Sequence, residues 1–169
     1  MKRFANLCIS VCLSIVSLGA LQGWAHEYRS GAVSIEHPWS RATPPGAAMG
    51  VAYMVLENTG DTEVKLVSAE TPRAGRVSIH RSHRVDGLMR MEHLPDGLAI
   101  PAGEKVELQP QGYHLMLEKL NGALKAGERV PVTLNFQGAD PIVIELAVEA
   151  PGTEKEASGD AEHHKGMGH

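Results

Sequence analysis

The sequence predicts an all-β sandwich or barrel over residues 31–148. Short β-rich runs recur along this stretch, Gly- and Pro-containing breaks separate them, and no segment of helical period competes apart from a turn around residues 117–124. About 120 residues is enough for a two-sheet core.

The runs follow one another closely. AVSIEH (32–37) is separated by TPPGA from GVAYMVLEN (50–58), and NTGD leads into VKLVSAE (64–70). RVSIHRS (76–82) and GLMRMEHL (87–94) flank VDG, while LPDG and IPAGE precede KVELQ (105–109). QPQG precedes YHLMLEKL (113–120), LKAGE precedes VPVTLNFQ (130–137), and PIVIELAVE (141–149) closes the series. Turn residues at this spacing are the signature of antiparallel sheets.

The ends differ from the middle. Residues 1–25 have a basic start (Lys2, Arg3), an apolar run and small residues before a break, the pattern of a secretory signal peptide cleaved after Ala25. Residues 26–150 form the expected domain. Residues 151–169, rich in charge, Gly and Ser without apolar period, read as a disordered tail containing His163, His164, Met167 and His169. No later apolar run is long enough for a transmembrane segment.

Both cysteines, Cys8 and Cys12, lie in the signal, so the mature chain is expected to have no disulfide and no thiolate ligand. A long apolar run follows Cys12, which argues against a lipid-anchored cysteine. Removing Lys2 and Arg3 leaves 14 basic against 20 acidic residues, a net charge of −6. An acidic surface argues against nucleic acid as a partner.

The chemistry concentrates in two segments. In YHLMLEKL, Tyr113, Leu115 and Leu117 share one strand face, and His114 and Met116 share the other. In SIHRSHRVDGLMRMEHL, His80 ends a strand, a turn forms at Asp86-Gly87, and Met89 and Met91 share a face of the next strand. Imidazole with thioether is a soft-to-borderline donor set, and its thioether sulfur suits Cu(I) and does little for Ca²⁺, Mg²⁺ or Zn²⁺. Thioethers also survive in an oxidising compartment where free thiols are consumed.

These segments, with HPWSRATPPGAAMGVAYMVLENTGD upstream and the run from DGLMRMEHLPDGLAIPAGEKVEL to VPVTLNF, resemble the periplasmic copper-chaperone family with the PCuAC domain. The resemblance rests on a His, a Met after ten intervening residues, and a later His-x-Met. The resemblance implies a cupredoxin-like, Greek-key β-sandwich and one Cu(I) held near the surface by His80, Met91, His114 and Met116. The interval from Met91 to His114 holds 22 residues, one more than the family pattern. The extra residue is assigned to the LPDG turn, with Met89 left as the alternative to Met91.

The resemblance also implies a periplasmic chaperone without catalytic activity. It would deliver copper to the Cu-A or Cu-B centre of cytochrome c oxidase, or to another periplasmic copper chaperone. A near-surface site and a flexible tail allow a monomer or a copper-bridged dimer. The tail residues His163, His164, Met167 and His169 form a second candidate site, suited to Cu(II). His26, as the new N-terminus, could chelate Cu(II), although a frayed terminus is the plainer expectation.

Ordinary roles are expected for the remaining candidates. Met89 packs beneath the site, His83 and His93 are solvated, and Met49 and Met54 are core. Trp39 and Tyr53 pack together, and Arg41 joins an ion pair. An electron-transfer cupredoxin is excluded by the missing Cys ligand. A copper enzyme built on His26, a β-sandwich interaction module and a copper buffer or resistance protein are the other classes considered.

Overall fold

The computed structural model describes residues 27–152. Among them run eleven strands: β1 (Glu27–Ser30), β2 (Val33–Arg41), β3 (Met49–Asn58), β4 (Val64–Glu70), β5 (Ala74–Val85), β6 (Leu88–His93), β7 (Leu98–Ile100), β8 (Lys105–Leu108), β9 (Tyr113–Leu120), β10 (Arg129–Gln137) and β11 (Ile142–Glu149). No helix among the described residues is long and apolar enough to cross a membrane.

The strands form one hydrogen-bonded path, β6-β5-β9-β8-β3-β2-β11-β10-β4-β7, with β1 on β2 and β9 also on β3. Strands far apart on this path contribute to one core, so the path closes over itself as a sandwich. Leu115 and Leu117 of β9 and Leu56 of β3 are fully buried beside Leu66 of β4, Leu134 of β10 and Ile144 of β11. Each such side chain contributes roughly 1.5–3 kcal/mol of burial free energy.

The predicted strands are all present, and their limits show what sequence patterning misses. The first run was expected to stop at His37, before Pro38. Instead β2 continues to Arg41 through a register shift between Glu36 and Trp39, with His37 at φ 47°. The bulge absorbs the residue that has no N–H to give. β7 was hidden between turns because it has three residues, yet Leu98 and Ile100 are buried and Ala99 is exposed.

For function, the important part is the sheet end formed by β6, β5 and β9. The β5–β6 hairpin turns at Asp86 and Gly87, both at positive φ (51° and 79°), as a tight two-residue turn requires. β6 ends the path and all six of its residues are exposed.

Candidate metal centre

The register of these strands brings the candidate residues together. On β5, Ile79 points into the core and is 3% exposed, so Ser78, His80 and Ser82 lie on the opposite face. β9 places His114 opposite His80 and Met116 opposite Ser78. β6 places His93 opposite His80 and Met91 opposite Ser82. His80 is therefore a hub, in line with His114 and His93 and diagonal to Met116 and Met91.

The ring geometry agrees with the register. His80 and His114 stack with centroids 5.8 Å apart, and His80 and His93 lie 5.2 Å apart. Among the described residues, no three His, Cys, Asp or Glu side chains stand ready to hold a metal by themselves. Any site here needs a side-chain adjustment or a thioether donor.

Hydrogen bonds assign the nitrogens. Ser78 Oγ–H donates to Glu118 Oε1 at 2.6 Å, which spends the only hydroxyl proton. The 2.9 Å contact between Ser78 Oγ and His80 Nε2 then has His80 Nε2–H as donor. His80 Nδ1 carries the lone pair, and this buried nitrogen has no hydrogen-bond partner. At His114, Nδ1–H donates to the Gly112 carbonyl at 3.1 Å, so Nε2 is the acceptor nitrogen. The same carbonyl accepts the Ser82 N–H at 2.9 Å, tying the QPQG turn to β5. Each imidazole thus has one nitrogen fixed by a partner and one open to a metal, the usual arrangement of ligating histidines.

Electrostatics favour neutral imidazole. Burial lowers the His80 pKa below its ordinary 6.5, and neighbouring His114 and His93 push in the same direction. Glu118 is held below its ordinary 4.5, chiefly by the Ser78 hydrogen bond and with help from Arg76. Arg76 Nε lies 3.6 Å from Glu118 Oε1.

Several sequence expectations are corrected by this geometry. His114 lies on the strand face away from the core as expected, but it is only 5% exposed, because it stacks on His80 and turns Nδ1 into the Gly112 carbonyl. Met89 does not pack beneath the site. It pairs with Arg84 on the exposed edge strand and is itself exposed. Met54 is core, but Met49 is exposed, because it begins β3 on the face opposite the core and pairs with Glu118. His93 is exposed as expected, yet it also meets the His80 ring. Trp39 and Tyr53 pack at 4.7 Å, and the Arg41 guanidinium lies 5.9 Å over each ring. Ser78 and Glu118 were not singled out from the sequence, and their places opposite Met116 and Arg76 required the β5–β9 register.

His26, His163, His164, Met167 and His169 lie outside the described residues, as does the expected signal with Cys8 and Cys12.

The LpqE-like lipoprotein family model matches residues 33–148. The protein Lxx21020 of Leifsonia xyli subsp. xyli is 31% identical over 134 residues, covering 79% of this chain and 76% of its own. Among solved structures, the copper-bound PCuAC domain from PmoF2 is 29% identical with a TM-score of 0.63, covering 75% of this chain and 99% of that one. The Cu(I) form of DR1885 from Deinococcus radiodurans is 31% identical with a TM-score of 0.57, covering 77% of this chain and 85% of that one. The fold is the all-β, cupredoxin-like sandwich that the family resemblance implies.

Proposed function

The chain belongs to the LpqE-like family, and from that premise we propose that it is an extracytoplasmic copper chaperone, with Cu(I) as its cargo. His80, Met91, His114 and Met116 are the donors. The observation that carries this reading is the pair of open imidazole nitrogens on adjacent strands, His80 Nδ1 and His114 Nε2, each with its other nitrogen occupied. Met91 and Met116 lie diagonal to His80 on its two sides. Two imidazoles and two thioethers match Cu(I). The similarity to the copper-bound PmoF2 domain and to Cu(I) DR1885 supports the same reading.

Release proceeds by ligand exchange. Met91 is 56% exposed on the edge strand, so an incoming thiolate or imidazole replaces it first while His114 holds on from the buried side. No group is required as acid, base or nucleophile. The signal-like N-terminus supports the periplasm as the compartment. Cytochrome c oxidase, at Cu-A or Cu-B, and another periplasmic copper chaperone are the recipients proposed.

An anaerobic Cu(I) titration of residues 26–169 against a chromogenic competitor tests this. One tight Cu(I) per chain, lost in the Met91→Ala, Met116→Ala double variant, is the expected result. Weak binding that the double variant leaves unchanged overturns it.

A further inference from the structure

His93 stands outside the donor set just proposed, yet it is the residue directly across from His80. Three histidines thus form one row over three neighbouring strands: His93 on β6, His80 on β5 and His114 on β9. The thioethers are only diagonal to that row.

Ring separations decide whether neighbouring members of the row can share one ion. A bound imidazole has its nitrogen about 2.0 Å from a first-row metal ion and its centroid about 3.2 Å away, so two rings on one ion have centroids at most about 6.3 Å apart. The observed 5.2 and 5.8 Å fall within this limit for each neighbouring pair, whereas His93 and His114, two strand spacings or about 9.6 Å apart at the backbone, meet it only when their rings lean over His80. His80 offers an unpartnered buried Nδ1, and His114 offers Nε2. His93 lies on an exposed edge strand where its ring can turn without disturbing the core. Rotation is needed, because the three side chains are not yet gathered on one point.

We infer that His80, His93 and His114 form a second donor set at the same place, a three-imidazole site for Cu(II). The inference rests on the copper reading above and extends it to the other oxidation state. Cu(II) favours nitrogen donors in tetragonal geometry and outranks Zn²⁺ and Ni²⁺ on them, whereas Cu(I) favours thioether sulfur. The oxidation state of the incoming ion then selects the partners of His80 and His114: His93 for Cu(II), Met91 and Met116 for Cu(I). Such a centre accepts copper in either form without a cysteine.

The test uses mature chain with His26, His163, His164 and His169 replaced by Ala, so that no other terminal imidazole competes. Cu(II) is titrated, and the bound imidazoles are counted by pulsed electron paramagnetic resonance. Cu(I) affinity is measured in parallel. The expected result is one Cu(II) with three imidazoles. His93→Ala removes one of them and weakens Cu(II) on the order of a hundredfold, at least as much as losing a hydrogen-bonding partner of a ligand costs. Its Cu(I) affinity stays unchanged. Met91→Ala with Met116→Ala does the reverse. An unchanged imidazole count and Cu(II) affinity in His93→Ala overturns the inference, as does absence of Cu(II) binding. Loss of Cu(I) binding alone overturns the chaperone reading instead and leaves the three-imidazole site standing.

Discussion

The Ser78 hydroxyl donates to Glu118 at 2.6 Å, and that bond decides which nitrogen of His80 is left to meet a metal. With its proton committed to the carboxylate, Ser78 can only accept from His80 Nε2. Replacing Ser78 by Ala frees Nε2 and lets the ring change tautomer. Cu(I) affinity is expected to fall about 10–100-fold, the range seen when an outer partner of a ligand is lost. Nitrogen NMR of the metal-free protein provides the separate check: the Nε2–H signature of His80 weakens in Ser78→Ala and returns in Ser78→Thr. An unchanged tautomer in Ser78→Ala contradicts the assignment.

Met89 and Met91 separate cleanly by variant. Met91 pairs with Ser82, two residues from His80, whereas Met89 pairs with Arg84, four residues away and about 13 Å along the strand. Met91→Ala is expected to weaken Cu(I) binding at least tenfold, and Met89→Ala to leave it unchanged. Both side chains are exposed, so neither variant should move the melting temperature by more than about a degree or two. The reverse order of effects would make Met89 the donor.

The pH dependence follows from two shifted groups, and each sign is fixed by its direction. His80 is lowered from 6.5, so the unfolded chain takes up that proton before the folded one does. Stability is therefore full above about pH 6.5 and declines as the pH falls from there through the folded value. Glu118 is lowered from 4.5, so its contribution is present above that value and is lost as the pH falls through its folded pKa. Thermal unfolding of the metal-free protein from about pH 7 to about pH 3 should lose stability in two windows. His80→Gln should flatten the upper one and Glu118→Gln the lower. An unaltered profile in either variant refutes that assignment.

Gly97 closes the turn between β6 and β7 at φ +87°. A Cβ there would lie 2.4 Å from the Leu66 carbonyl oxygen, which is backbone and cannot swing away. Left-handed geometry alone costs an alanine roughly 1–2 kcal/mol. Gly97→Ala is thus expected to destabilise the protein by at least about 2 kcal/mol in urea unfolding, the turn shifting to relieve the contact. Gly87→Ala, where a Cβ meets nothing within 4 Å, should cost less.

Much of this molecule was legible because strands write themselves with a period of two. β4 and β9 have the limits that the sequence pattern predicts, and the alternation in YHLMLEKL separates Leu115 and Leu117 from His114 and Met116. The pairing of His93, expected only to be solvated, was within reach of the sequence. The Asp86-Gly87 turn lies midway between His80 and His93, so a tight hairpin there must pair them. Burial was harder to foresee. A strand face pointing away from the core is open only if nothing covers it, and His114 is covered by a ring from the next strand. The roles of Ser78 and Glu118 depend on a pairing forty residues apart, which local pattern does not encode.

The strand order sets His114 and His93 in unlike mechanical surroundings. β9 lies between β5 and the β8/β3 side of the sheet and buries Leu115 and Leu117, so its amide protons should exchange only when the whole domain opens. β6 has one neighbour and no buried residue, so it frays at far lower free energy. On the proposed reading His114 is a fixed jaw, and the β6 donors are a hinged one. A copper acceptor would then need only to pry the free strand, which makes fast delivery compatible with a fold as stable as its core allows.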